Sequence, residues 1–178
     1  MKKSKHVAKP LALVGLMGSG KSETGRELAR RLGASVADLD AMLEAVEGAS
    51  VAELFARSGE AWFRRRESEL LEQAVASGVR VIACGGGIVL DEARRTTLRE
   101  RCRTVWLEVT PAEAARRVAA APGTRPLLDG GEPVARLTAL LAERTPLYEG
   151  CAAHRVTTDG RSPAQVADVI LAWLAQQA

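Results

Sequence analysis

Gly15-Leu16-Met17-Gly18-Ser19-Gly20-Lys21-Ser22 satisfies the pattern G-x-x-x-x-G-K-[ST] at every fixed position. The residue types state the chemistry. Glycines let successive backbone N–H groups turn into one concavity around phosphate oxygens. The helix that follows adds its positive end. Lys21 would reach the β- and γ-phosphates, and Ser22 would offer its hydroxyl to Mg²⁺. Gly18, Ser19, Gly20, Lys21, Ser22 and Glu23 are thus candidate contacts for a nucleoside triphosphate with its divalent cation. The bland alternative is a glycine-rich turn with a surface lysine, and the flanks argue against it. Leu11–Val14 reads as a short buried strand, and Leu28 and Leu32 fall at helical spacing after the motif.

Other polar residues offer a second half-reaction. Asp38 and Asp40 lie two apart, so on an extended segment they share a face. Like charges held close need a cation or a donor between them. One carboxylate would hold water on the metal while the other accepts a hydroxyl proton; the alternative is that they cap the next helix. In Phe63-Arg64-Arg65-Arg66-Glu67 the three arginines cannot share a helix face. Arg64, after apolar Trp62-Phe63, is the inward candidate. Arg65 and Arg66 read as solvated, with Glu67 and Glu69 as partners. Gly85-Gly86-Gly87 after an apolar strand suggests close backbone approach to a ligand, or a plain tight turn. Arg125 sits in a loop rich in proline and glycine, where an arginine can close over a transferring phosphoryl group. Arg144 falls at an expected helix end, as a charge on the dipole or a carboxylate clamp. His6 and His154 have no partner pattern, and Tyr148 reads as packed.

Positioning these residues requires an alternation of strands and helices. Strands are expected at 11–14, 35–40, 79–84, 104–109 and 154–158. Helices are expected at 24–32, 41–46, 51–57, 60–76, 92–101, 111–121, 134–144 and after Ser162, with breaks at Gly48 and Ser58-Gly59. Thr110-Pro111-Ala112-Glu113 and Ser162-Pro163-Ala164-Gln165 carry capping-box patterns. The result is an α/β fold with a parallel sheet covered on both faces. The phosphate motif, the Asp38/Asp40 pair and the triple glycine each end a strand, where such sheets bind ligands.

Bulk properties narrow the partners. A chain of 178 residues is expected to be one domain, with 1–9 as a basic tail and about 120–133 as a lid. The charges, 25 basic against 22 acidic, are interleaved, and aromatics are only 3 %. Both argue against nucleic acid as partner. No run approaches a membrane span, and the three cysteines form no C-x-x-C pair. A soluble, cytoplasmic monomer with reduced thiols is expected.

Taken in order, the P-loop, Asp38-Leu39-Asp40 as D-x-D, Phe63–Glu67 as F-R-x-x-E, the triple glycine, Arg125–Leu128 as R-P-L-L and Arg144–Tyr148 as R-x-P-L-Y resemble the shikimate kinase family from about Leu11 to Leu174. The resemblance implies a nucleoside-monophosphate-kinase-like P-loop fold with strand order 2-3-1-4-5 and a closing lid. It implies transfer of the ATP γ-phosphoryl group to the 3-hydroxyl of shikimate, in aromatic amino-acid biosynthesis, with Mg²⁺. Asp40 would be the base, and Arg64 and Arg144 would grip the acceptor carboxylate. Gly85, Gly86 and Gly87 would line the acceptor ring, Asp38 would support Mg²⁺ with Ser22, and Arg125 would be the lid arginine. Arg117 and Arg161 match positions flanking adenine. Glu23 departs from the family's usual threonine and places a carboxylate beside the phosphates. The rival readings are a kinase for another hydroxy acid such as gluconate, or a nucleotide-binding module without catalysis.

Overall fold

The strands arise from the apolar runs. In the computed structural model, which describes residues 9–120 and 132–177, β1 is Leu11–Val14, β2 Val36–Asp38, β3 Val81–Ala83, β4 Arg103–Glu108 and β5 His154–Thr157. They form one sheet of order β2-β3-β1-β4-β5, and every pair is parallel. Leu11 pairs in register with both Val81 and Arg103, so β1 is the central strand. This is the expected order.

Alternation along each strand sends neighbours to opposite cores. Ala12, Val14, Ile82, Cys84 and Trp106 face one core; Leu11, Leu13, Val81, Val105 and Leu107 face the other. The helices are α1 Lys21–Arg31, α2 Leu39–Glu47, α3 Val51–Ser77, α4 Glu92–Arg101, α5 Pro111–Ala120, α6 Pro133–Cys151 and α7 Pro163–Ala175. α1 and α7 cover the second core through Leu28, Val166 and Ile170, while α2, α3 and α4 cover the first. Burial on both faces explains why the strands are apolar runs rather than alternating ones. Ser50 with Glu53 and Ser162 with Gln165 form complete capping boxes on α3 and α7. At α5 only half the expected box forms. Glu113 N–H donates to Thr110 Oγ1 at 3.3 Å, but the Glu113 carboxylate accepts from Arg116 and Arg117 instead.

Three boundaries differ from the sequence reading, and each bears on the site. α2 begins at Leu39, so β2 stops at Asp38 and Asp40 lies in a helical first turn. α3 spans the expected break at Ser58-Gly59; the break survives as a kink at Gly59, where φ 76° and ψ 168° suit only glycine. α6 runs on past Arg144, through Pro146, to Cys151. A proline inside a helix costs about 3 kcal/mol, and the fully buried Tyr148 and the buried Cys151 beyond it offset that. Among the described residues no helix is long and apolar enough to cross a membrane. Arg125 and most of the expected lid lie outside the described residues.

Candidate active site

The C-terminal ends of β1, β2 and β3 open into a cleft of about 1670 Å³. At one end lies the phosphate motif. Gly20 is the N-cap of α1 in the left-handed region, φ 82°, and no side chain caps the first-turn N–H groups. Those donors are left for an anion. The loop is held from both sides. A Cβ on Gly15 would overlap the Leu107 carbonyl, and one on Gly18 would come within 2.7 Å of the Ala114 carbonyl. Lys21 Nζ donates to the Gly15 and Leu16 carbonyls at 2.9 Å each, bracing the loop. Lys21 is also the last lysine in the sequence; every later basic side chain apart from His154 is arginine.

Glu23, Arg117 and Arg161 line the cleft around this loop. The Glu23 side chain is 58 % exposed and pairs along α1 with Arg26 at 3.5 Å. It therefore turns aside from the phosphate concavity, and its backbone N–H stays in the first turn. Arg117 is engaged with protein. Its guanidinium donates to the Gly18 carbonyl at 3.2 Å, to Thr158 Oγ1 at 3.1 Å and to the Thr158 carbonyl at 2.7 Å, and Glu113 accepts from Nε at 2.7 Å. It ties the phosphate loop to the turn after β5. Arg161, on that turn, donates to the Thr157 carbonyl at 2.6 Å. Both arginines line the cleft.

At the other end the acceptor candidates gather around the triple glycine. Arg144 Nη1 donates to the Gly86 carbonyl at 3.1 Å, and the Tyr148 hydroxyl donates to the same oxygen at 2.7 Å. Burial pushes the Tyr148 phenol up to about 12, so it remains a donor. The Arg64 guanidinium lies against Gly87: a Cβ there would come within 2.7 Å of Nη2 and 2.8 Å of Cζ. The two guanidinium groups therefore meet at adjacent glycines on one wall of the cleft. Asp40 lies against the neighbouring Gly85, with Oδ1 3.1 Å from the position a Cβ would take. The cleft thus runs from a phosphate cradle, past a carboxylate, to two arginines.

Three sequence readings are corrected here. Asp38 and Asp40 do not share a strand face. Asp38 caps α2, accepting from the Ala41 N–H at 3.3 Å, while Asp40 is the second residue of that helix, in its first turn. Arg144 is inside α6, not at its end, so it does not serve the helix dipole. Glu67 is no surface partner of Arg65 or Arg66; it is 2 % exposed and holds Arg64 Nη1 at 2.6 Å. The signal for this was present. Phe63, Glu67, Leu70, Leu71 and Ala74 repeat at helical spacing, and a carboxylate on an apolar stripe must find cations. Arg94, which the sequence did not single out, also reaches Glu67.

Oxygen donors suited to Mg²⁺ are few, as expected for an ion that keeps its waters and binds through phosphates. Ser22 and Asp38 line the cleft beside the phosphate loop, and among the described residues no cluster of three or more His, Cys, Asp or Glu side chains could hold a metal alone. Cys84, Cys102 and Cys151 are free buried thiols, the latter two pushed up to about 11 by burial, and they serve as core.

Known proteins resemble this chain in sequence and in fold. The family model described as shikimate kinase matches residues 17–175. A shikimate kinase of Symbiobacterium thermophilum is 44 % identical over 94 % of this chain and 97 % of its own length, and one of Rhodococcus jostii is 39 % identical over 96 % and 100 %. The solved shikimate kinase of Acinetobacter baumannii in complex with shikimate superposes with a TM-score of 0.90 at 32 % identity, covering 95 % of this chain and 94 % of that one. A gluconokinase from Sinorhizobium meliloti reaches 0.58 at 18 % identity, which shows a shared fold alone. On the matched length and the level of identity, this chain belongs to the shikimate kinase family.

Proposed function

We infer that the protein is an ATP-dependent kinase that phosphorylates the 3-hydroxyl of shikimate. The observation that carries this is the meeting of Arg64 and Arg144 at Gly86-Gly87, in the same cleft as the phosphate loop and Asp40. Paired guanidinium groups select a carboxylate by bidentate geometry. An acid gripped there presents its hydroxyls toward Asp40 and the phosphate cradle. Asp40 accepts the hydroxyl proton as the acceptor oxygen bonds to the γ-phosphorus, and the bond from that phosphorus to the β-bridging oxygen breaks to release ADP. Such transfer asks for positioning and charge neutralisation rather than covalent catalysis. The first-turn N–H groups of α1 and Lys21 supply neutralising charge, and Arg117 keeps the loop in shape.

Mg²⁺ would be held by Ser22, by Asp38 and by the phosphates, and would supply further neutralisation of the transferring group. Arg161 beside Arg117 suits an adenine contact, Gly85–Gly87 suit the ring of the acceptor, and Arg125, outside the described residues, is assigned to the lid at about 120–133. Free buried thiols suit a reducing cytoplasm, and we take residues 1–178 to act as one monomeric kinase unit with no nucleic-acid or membrane partner.

A coupled assay of ADP release with ATP, Mg²⁺ and either shikimate or gluconate tests the reading. Turnover with shikimate and none with gluconate is expected. Turnover with gluconate alone, or ATP binding with no acceptor-dependent turnover, would reverse it.

A further inference from the structure

Arg94 has no role in the scheme above, yet it is one of the most deeply buried charges in the protein, 4 % exposed on α4. Its Nη1 donates to Glu67 Oε2 at 3.3 Å and to the backbone carbonyl of Arg64 at 3.1 Å. Glu67 Oε2 is the same oxygen that Arg64 Nη1 holds at 2.6 Å. One carboxylate oxygen thus serves two guanidinium groups, one opening to the cleft and one sealed behind it. Among the described residues Arg94 Nε has no hydrogen-bond partner, and Asp91 Oδ1, 3.8 Å from it, belongs to a side chain about half exposed. An apolar side chain of the same length would join α4 to α3 without that cost. The charge therefore needs a reason beyond packing.

We propose that Arg94 is a positioning residue for acceptor recognition, which shares the Glu67 carboxylate so that Arg64 keeps its charge for the carboxylate of the substrate. The charge count supplies the argument. Arg64 and Glu67 alone make a closed, neutral pair, leaving Arg144 as the one cation at the glycines. Adding Arg94 turns the buried pair into a triad with net charge +1; Glu60, which also meets Arg64 at 3.4 Å, is 61 % exposed and its charge is screened by solvent. Its outward face is Arg64, since Arg94 is behind Glu67. The bond from Arg94 to the Arg64 carbonyl also pins the turn of α3 from which Arg64 projects. The ligand class is an organic monoanion, and the proposal rests on the acceptor reading given above.

Steady-state kinetics of Arg94→Met and Arg94→Lys, with shikimate and with its uncharged carboxamide, test this. For Arg94→Met the shikimate KM is expected to rise about tenfold, the scale of one unit of charge interaction, with kcat and the ATP KM nearly unchanged. The preference for acid over amide should shrink by the same factor, and Arg94→Lys should restore most of it. An unchanged shikimate KM, or equal losses for acid and amide, would overturn the proposal. Should Arg94→Met fail to fold, the pair Arg94→Met/Glu67→Gln removes both buried charges. Recovered acid preference there supports the triad, and its continued loss refutes it. If the unaltered enzyme does not turn over shikimate at all, the acceptor reading itself has failed, which is a different result from a variant with unaltered KM.

Discussion

Replacing Gly87 with alanine separates acceptor recognition from turnover. Gly87 has φ −98° and ψ 4°, which alanine can adopt, so the backbone is not the obstacle. The new Cβ would stand 2.7 Å from Arg64 Nη2 and 2.8 Å from Cζ. Ordinary contact between heavy atoms needs about 3.5 Å or more, so the guanidinium must retreat by about 1 Å. It is the far end of a flexible side chain but also holds the buried Glu67 at 2.6 Å; Arg94 keeps that carboxylate partnered, and the fold should lose about 1–2 kcal/mol. The displaced group forfeits a charge-assisted, two-pronged grip, on the order of 2 kcal/mol. That corresponds to a rise of roughly thirtyfold in the shikimate KM. Because the grip acts in ground and transition states alike, kcat should change little. Initial-rate kinetics with each substrate varied in turn, beside a thermal melt, measure all of this. A shikimate KM within about twofold of the parent, or an ATP KM rising in parallel, would refute the reasoning. Gly85→Ala provides the contrast. Its Cβ would overlap Glu67 Oε1 and press on Asp40 Oδ1 at 3.1 Å, and Glu67 is buried and fixed by two arginines. Overpacking there should cost about 1–3 kcal/mol, a Tm fall of roughly 3–10 °C, together with turnover.

Asp40→Asn should lower kcat by about a hundredfold or more, the usual worth of a positioned base, with a small change in shikimate KM; a near-normal rate removes it as the base. Arg117→Met breaks the bonds from the Gly18 carbonyl to Thr158, so the ATP KM should rise on the order of tenfold while the shikimate KM holds, as read in the same kinetics. Burial lowers the His154 imidazole below its ordinary 6.5. The unfolded chain then takes up a proton first, and stability falls as the pH drops below about 6.5. Urea melts from pH 7.5 to 5.5 should show that fall, and His154→Phe, which can keep the stack on Trp173, should flatten it.

The sheet was legible because each strand is an apolar run followed by a turn residue, and the phosphate loop because its glycines leave few conformations. Arg64 was legible from its apolar neighbours. What escaped was set by tertiary contact. Asp38 and Asp40 looked extended because six residues after a turn fit either state; the buried Leu39 and the cap on Ala41 N–H decided for helix. Pro146 pointed to an earlier end for α6, and only the pocket that swallows Tyr148 overrides it. Glu67 was misread by counting charges along the chain rather than around the helix, where it falls on the buried stripe. Arg94 gave no local sign, since its partners lie 27 and 30 residues away.

With Lys21 the only lysine in any strand or helix of the described residues, amine chemistry has a single address inside the folded kinase. Acylating reagents spare guanidinium, so an acyl-phosphate analogue of the nucleotide would label that one side chain from within its own cradle. Shielding it with nucleotide would leave the lysines ahead of β1 as handles for attaching the enzyme to a surface.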